Sequence, residues 1–202
     1  MTQSIRRFAP AAARNRQPIL EVLQRYLPTS GLVLEVASGT GEHCAYFAPR
    51  CSSELTFQPS DPDAEARASI DAWIAGENLG NVRPALDLDA AHEIWPISRA
   101  DAVLCINMIH ISPWTATVGL MAGARRILPA GGTLLLYGPF RRDGAHTAES
   151  NAAFDRDLRQ RNPLWGVRDI EAVTSLAQHN SFEAFGLEQM PANNLSVIFR
   201  KL

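Results

Sequence analysis

The chain has 202 residues, 46% of them hydrophobic and 20% charged, with a formal net charge of −2. That size suits one domain with a substantial core, and a charge so near balance lacks the basic field that nucleic acid or an anionic membrane surface selects. Three cysteines without a C-x-x-C pair speak against a disulfide scaffold or a structural zinc site and fit a reducing, cytoplasmic setting, and no apolar run approaches the ~20 residues of a membrane span.

Residues 1–20 hold Arg6, Arg7, Arg14 and Arg16 and no acid, a composition shared by transit peptides. The segment lacks an apolar leader core and runs into a helical stripe of Ile19, Leu20, Val22, Leu23 and Leu27, so a structured N-terminal helix is expected, closed by Pro28 and Gly31. Short apolar runs then alternate with helical patterns. Strands are expected at 32–36, 54–58, 82–88 (weak), 102–107 and 133–137. Helices are expected to about residue 48 and over 63–75 and 115–128, then to about residues 161 and 178. Two strands at 185–190 and 195–199, four residues apart, form a terminal antiparallel hairpin, because a parallel crossover needs a dozen residues or more. The layout is an α/β sheet covered on both faces. The segment 138–169 is long for a strand–helix connection and reads as a partial lid within a single domain spanning 1–202.

Four motifs fall at the carboxyl ends of the expected strands, where ligands of open α/β sheets sit. Glu35 closes the first strand and leads through Ala37 into Ser38-Gly39-Thr40-Gly41, a turn at which backbone N–H groups meet a ligand. Position 44 is Cys, so the G-x-G-x-x-G dinucleotide fingerprint is incomplete. Asp61 follows the second strand, 20 positions after Gly41, where an acid accepts both hydroxyls of a ribose; capping of the next helix is the other reading. Asp87 can receive an adenine amine while Leu88 packs on the ring, or Asp87 is a solvated turn acid. Asn107 and Met108 follow the buried fourth strand, with His110 close behind.

Taken in order, Glu35-x-Ala37-Ser38-Gly39-Thr40-Gly41, Asp61, Asp87, Asn107 to His110 and Leu128-Pro129-x-Gly131-Gly132 resemble the class I S-adenosylmethionine-dependent methyltransferases. More closely, the chain resembles the family called domain of unknown function 938, whose animal members are named methyltransferase-like protein 26. The matching stretches include Ala11-Ala12-x-Arg14-Asn15, Gln58-Pro59-Ser60-Asp61-Pro62-Asp63, Tyr137-Gly138-Pro139-Phe140, Asn151-Ala152-Ala153-Phe154-Asp155 and Met190-Pro191-Ala192-Asn193-Asn194. The resemblance implies a three-layer Rossmann-like fold with a mostly parallel seven-stranded sheet and an antiparallel last strand. It also implies S-adenosyl-L-methionine as cofactor, held by Glu35, Ala37, Ser38, Gly39, Thr40, Gly41, Asp61, Asp87, Leu88, Asn107 and Met108. Ala37 stands where the broad superfamily has its first loop glycine.

Methyl transfer asks the protein chiefly to align two reactants and exclude water. His110 has two readings, a general base or substrate orienter and a histidine bonded to a neighbouring loop. Arg14, Asn15, Tyr137 and Arg141 are the expected substrate contacts, Arg141 with its neighbours otherwise forming a self-paired turn. No metal is expected. The leading function is a methyltransferase of a small molecule, without nucleic-acid or membrane partners. The alternatives are a catalytically idle cofactor-binding module and a nicotinamide-dependent oxidoreductase.

Overall fold

The computed structural model describes residues 5–202, so residues 1–4 of the Arg-rich N-terminus lie outside the described part. Helix α1 (Pro10–Tyr26) opens on a proline at its first turn, where the missing N–H costs nothing, and runs on through Pro18. It starts nine residues before the Ile19 stripe that predicts it, because Ala11-Ala12-Ala13 favour helix strongly. Arg14 and Asn15 are therefore inside the helix rather than ahead of it.

Strand β1 (Gly31–Val36) leads to α2 (Glu42–Phe47), β2 (Leu55–Ser60) to α3 (Ala64–Glu77), and β3 (Ala102–Ile106) to α4 (Trp114–Ile127). Strand β4 (Thr133–Arg142) is followed by β5 (Ala145–His146), α5 (Glu149–Arg161), β6 (Arg168–Asp169) and α6 (Ile170–His179). The hairpin of β7 (Phe182–Met190) and β8 (Asn194–Lys201) ends the chain. The main sheet runs β2-β1-β3-β4-β8-β7, parallel from β2 to β4, with β8 antiparallel to both neighbours.

Its two faces carry separate cores. Leu34, Val36, Val103, Cys105, Leu134 and Leu136 pack towards α4 and α6, whereas Val33, Leu104, Leu135 and Ile198 pack towards α1 and α2. Neighbouring residues of one strand thus serve opposite layers, which is why β3 reads as an unbroken apolar run, with all five residues buried. Truncating Leu104 to Ala would cost about 2–5 kcal/mol, the usual range for a buried leucine.

Two expectations need correction. Residues 82–88 form no ladder strand; they make two isolated parallel bridges to β2, Phe57 with Val82 and Ser60 with Leu86. Pro84, without an N–H, falls between the donors Arg83 N–H to Phe57 O (2.9 Å) and Leu86 N–H to Pro59 O (3.0 Å), and Gln58 Nε2 donates to the Pro84 carbonyl (2.7 Å). The seventh strand of the expected sheet is thus a bridged segment. Strand β4, conversely, continues five residues past Tyr137 to Arg142, into the long connection expected from residue 138. Among the described residues no helix is long and apolar enough to cross a membrane.

Candidate active site

The carboxyl ends of β1 and β2 are laced together. Ser38 N–H donates to the Ser60 carbonyl (2.8 Å), Ser60 N–H to Ser38 Oγ (3.2 Å), and Ser60 Oγ to the Glu35 carbonyl (2.8 Å). This lacing holds Ala37 at a left-handed φ of 58°, a conformation that costs an L-residue about 1–2 kcal/mol and that the resemblance leads one to expect of glycine. Gly39 N–H then donates to Asp61 Oδ2 (2.9 Å), while Asp61 Oδ1 accepts from Asp63 N–H (2.9 Å). The cap of α3 is Asp63, whose side chain takes the Glu65 N–H, so Asp61 is free of the capping role that its sequence position also allows.

Burial raises the Asp61 carboxyl above its ordinary range, against the pull of the Asp63 and Gly39 N–H groups. Glu35 is buried with Oε2 unpartnered, and it is pushed up to about 7; burial does most of this and the Asp61 charge adds to it, against a Ser38 hydrogen bond. Arg67 ties the next acid in: its guanidinium donates to the Asp61 and Pro62 carbonyls (2.9 and 2.8 Å) and pairs with Asp87 (3.1 Å). Asp87 is mostly solvent-exposed beside it, whereas the Leu88 side chain is sunk in the core with Leu34 and Val36 and offers no apolar face to a ring.

Two fasteners that sequence reasoning missed hold the loop from the other side. Buried Glu42 accepts from Thr40 Oγ1 (3.0 Å) and from the Ala9 N–H, and Ser69 Oγ donates to the Thr40 carbonyl (2.8 Å) while accepting from Arg7 N–H (2.8 Å). Residues 7–9 thus lie against the glycine loop.

Further along the same sheet edge is a cavity of about 510 Å³, within the usual range for small-molecule sites. Arg14 and Asn15 of α1 line one side, and Asn107, Ile111, Tyr137 and Pro139 rise from the ends of β3 and β4. Ser150, Asn151 and Phe154 of α5 close the far wall with Pro191, Ala192 and Asn194. The α5 and 191–194 contributions lie in stretches that carry the family resemblance, the one signal in the sequence that could have found them. Asn15 Oδ1 meets His43 Nε2 (2.8 Å), and burial holds His43 down at about 4. A concavity of about 600 Å³ at Gly31, Glu54, Arg83 and Asp101 lies at the opposite, amino end of the strands, away from every one of these groups.

Three expected site residues fall elsewhere. His110 is fully buried and does not line the cavity. Its Nδ1 accepts the Arg168 N–H (3.2 Å), its carbonyl takes the Gly166 N–H (2.9 Å), and its ring stands edge-on to Phe140. Burial, helped by the Arg168 charge, drives it down to about 3, so it is a neutral and weakly basic imidazole. Room for it comes from Gly138, where a Cβ would lie 2.6 Å from both Cδ2 and Nε2 of the ring. Arg141 is paired with Asp169 (2.5 Å), not with its own turn and not in the cavity. Met108 packs against the core and accepts a hydrogen bond from Ser112 Oγ at Sδ (3.3 Å).

A parallel sheet with a glycine loop and an acid at its carboxyl edge, closed by an antiparallel β8 inserted beside β4, is the Rossmann-like architecture of the class I methyltransferases. The chain belongs to the family described as protein of unknown function (DUF938), whose profile matches residues 6–201. Among solved structures it is similar to an O-methyltransferase family protein from Burkholderia thailandensis, at 18% identity and a TM-score of 0.81 over 95% of this chain and 57% of that one. It is also similar to CalO1, a methyltransferase of calicheamicin biosynthesis solved with S-adenosylhomocysteine (SAH), at 18% identity and a TM-score of 0.74 over 95% of this chain and 54% of that one. An O-methyltransferase family 2 protein from Planctomyces limnophilus, solved with apigenin, matches at 16% identity and a TM-score of 0.80, over 95% and 58%. The chain therefore spans a little over half the length of these proteins.

Proposed function

We propose that the chain is an S-adenosylmethionine-dependent methyltransferase acting on a small molecule. The observation that carries the reading is the seating of the Asp61 carboxylate on the Gly39 N–H, at one end of a sheet edge whose other end opens into the 510 Å³ cavity. The residues present fit the cofactor. Above Gly39 a Cβ would meet nothing within 4 Å, so the loop backbone is open to a ligand, and the buried Glu35 Oε2 has no partner of its own and is left to pair with a polar group of the ligand. Asp61 would take the ribose hydroxyls, Asp87 the adenine amine, and the 38–41 loop the polar tail. When bound, the cofactor supplies an electrophilic sulfonium methyl. The chain aligns the acceptor from the cavity and excludes water with α5. His110 acts here as a positioning residue for the 166–168 segment. The three unpaired thiols of Cys44, Cys51 and Cys105 favour a reducing, cytoplasmic setting.

One observation favours an idle cofactor-binding module: among the described residues no histidine lines the cavity, and His110 and His43 near it are held neutral by burial, so an acceptor must bring a nucleophile that needs no strong base. Titration calorimetry with SAH, S-adenosylmethionine and NAD decides the ligand, and a preference for NAD would sink the proposal. Asp61→Ala should weaken SAH by roughly tenfold or more, since a charge-assisted hydrogen bond contributes about 1.5–3 kcal/mol; unchanged affinity would remove Asp61 from the site. A metabolite-extract screen for methyl transfer then separates enzyme from module.

A further inference from the structure

We propose that the cavity between α1, the ends of β3 and β4, and α5 takes a small organic acid, its apolar body against Phe154, Ile111 and Pro139 and its carboxylate on Arg14. The inference builds on the methyltransferase reading, within which this acid is the methyl acceptor.

Most of the polar wall is occupied in holding itself together. Asn151 Nδ2 donates to Thr147 Oγ1 (3.2 Å) and the Asn193 carbonyl (2.9 Å), Asn194 Nδ2 donates to the Pro191 carbonyl (3.0 Å), and Ser150 Oγ accepts from Asn193 Nδ2 (3.2 Å). Asn15 Oδ1 is engaged with His43. Among the described residues, no hydrogen bond or ion pair occupies the Arg14 guanidinium, and none occupies the Asn107 carboxamide. Burial raises the Tyr137 pKa and outweighs a hydrogen bond that its oxygen takes from Asn15, which lowers it, so the hydroxyl keeps its proton and still has its O–H to donate. The unspent groups are therefore mostly donors: a guanidinium fork, a phenol O–H and a carboxamide.

Among the described residues no Asp or Glu lines the cavity, and Arg14 is its one charged residue. A guanidinium and a phenol donor lining one cavity can serve the two oxygens of a carboxylate, and the apolar Phe154, Ile111 and Pro139 of the same lining disfavour a ligand that is polar throughout. The same inventory disfavours an amine, which would face an uncompensated positive charge.

The full chain is first titrated with SAH. Matched pairs of acid and amide (benzoate and benzamide, 3-phenylpropanoate and its amide, 1-naphthoate and its amide, octanoate and its amide) are then titrated into the SAH complex, with wild type and Arg14→Gln compared. At least one acid should bind about tenfold or more tighter than its amide. Arg14→Gln should erase that preference while SAH affinity and thermal midpoint stay unchanged, Arg14 being an exposed residue. The proposal is overturned if no acid outbinds its amide, or if the preference survives in Arg14→Gln. A matching loss of SAH affinity in Arg14→Gln overturns it too, because the carboxylate held would then be the cofactor's own. If SAH fails to bind wild type, the methyltransferase reading falls, and the same pairs titrated into the unliganded chain still decide the acid preference.

Discussion

Glu35 ends β1 with a carboxyl oxygen buried and unpartnered, and a group so placed holds its proton to about pH 7 rather than the 4.5 of free glutamic acid. Between those values the native chain binds a proton that the unfolded chain releases. Stability from this group is therefore complete below about pH 4.5 and lost as pH rises to about 7, by about 3 kcal/mol, or 1.4 kcal/mol per unit. Glu35→Gln keeps the shape and removes the titration. Urea unfolding at pH 5 and pH 7.5 should show the variant gaining about 3 kcal/mol on wild type at the higher pH. A constant difference would mean that Glu35 stays ionised when buried. The glycine loop, Glu35 and Asp61 were legible because their signal is local: residue type at the end of an apolar run, at a fixed interval along the chain. His110 shows the limit of that signal. It also follows an apolar strand, yet what buries it is the absent side chain of Gly138, a residue that the sequence places in the connection after the fifth expected strand.

At the scale of elements, Arg168 stitches the long excursion after β4 to the loop after β3. Its Nε donates to the Ile109 carbonyl (2.9 Å) and its guanidinium to the Ser112 and Leu164 carbonyls (2.6 and 3.0 Å), while its own N–H rests on His110. Asp155 holds the inner face of α5 by accepting from Val167 N–H (2.7 Å) and Arg159 Nε (3.0 Å). Arg168→Ala strips three carbonyls of a charged donor and should destabilise by about 2–4 kcal/mol, below the simple sum because the bonds share one side chain. Limited proteolysis should then cut within 138–169 at concentrations that leave wild type intact; equal resistance would show that α5 is held by packing alone. The order of the elements was readable from periodicity, and the terminal hairpin from its short connection. The boundaries set by tertiary contact were not: α1 begins where alanines outvote the later apolar stripe, β4 outruns its apolar stretch by pairing with β5 and β6, and Pro84 breaks a ladder that the pattern of 82–88 suggests.

For the molecule as a whole, three buried titrating groups act against one another. His110 is held down at about 3 and His43 at about 4, both by burial, so each is neutral in the native chain at pH values where the unfolded chain protonates it. Their contribution is present above the unfolded histidine value of about 6.5 and is lost as pH falls below it. Glu35 works in the opposite sense over 4.5 to 7. Asp61 is raised and Asp155 lowered, so they oppose each other at the acid end. Across the interval from about 4.5 to 6.5 the unfolded chain carries two extra imidazole protons and the native chain one extra carboxyl proton, a net of one favouring higher pH. Unfolding free energy should therefore climb by about 2 kcal/mol from pH 4.5 to pH 7 and level off above it, and in Glu35→Gln the climb should steepen to about 5 kcal/mol. A urea series at half-unit pH steps reads both slopes. A wild-type profile that falls across this range would mean that one of the histidines is charged in the native chain, and His110, whose Nδ1 must stay unprotonated to accept the Arg168 N–H, would be the first to test by replacement with Asn.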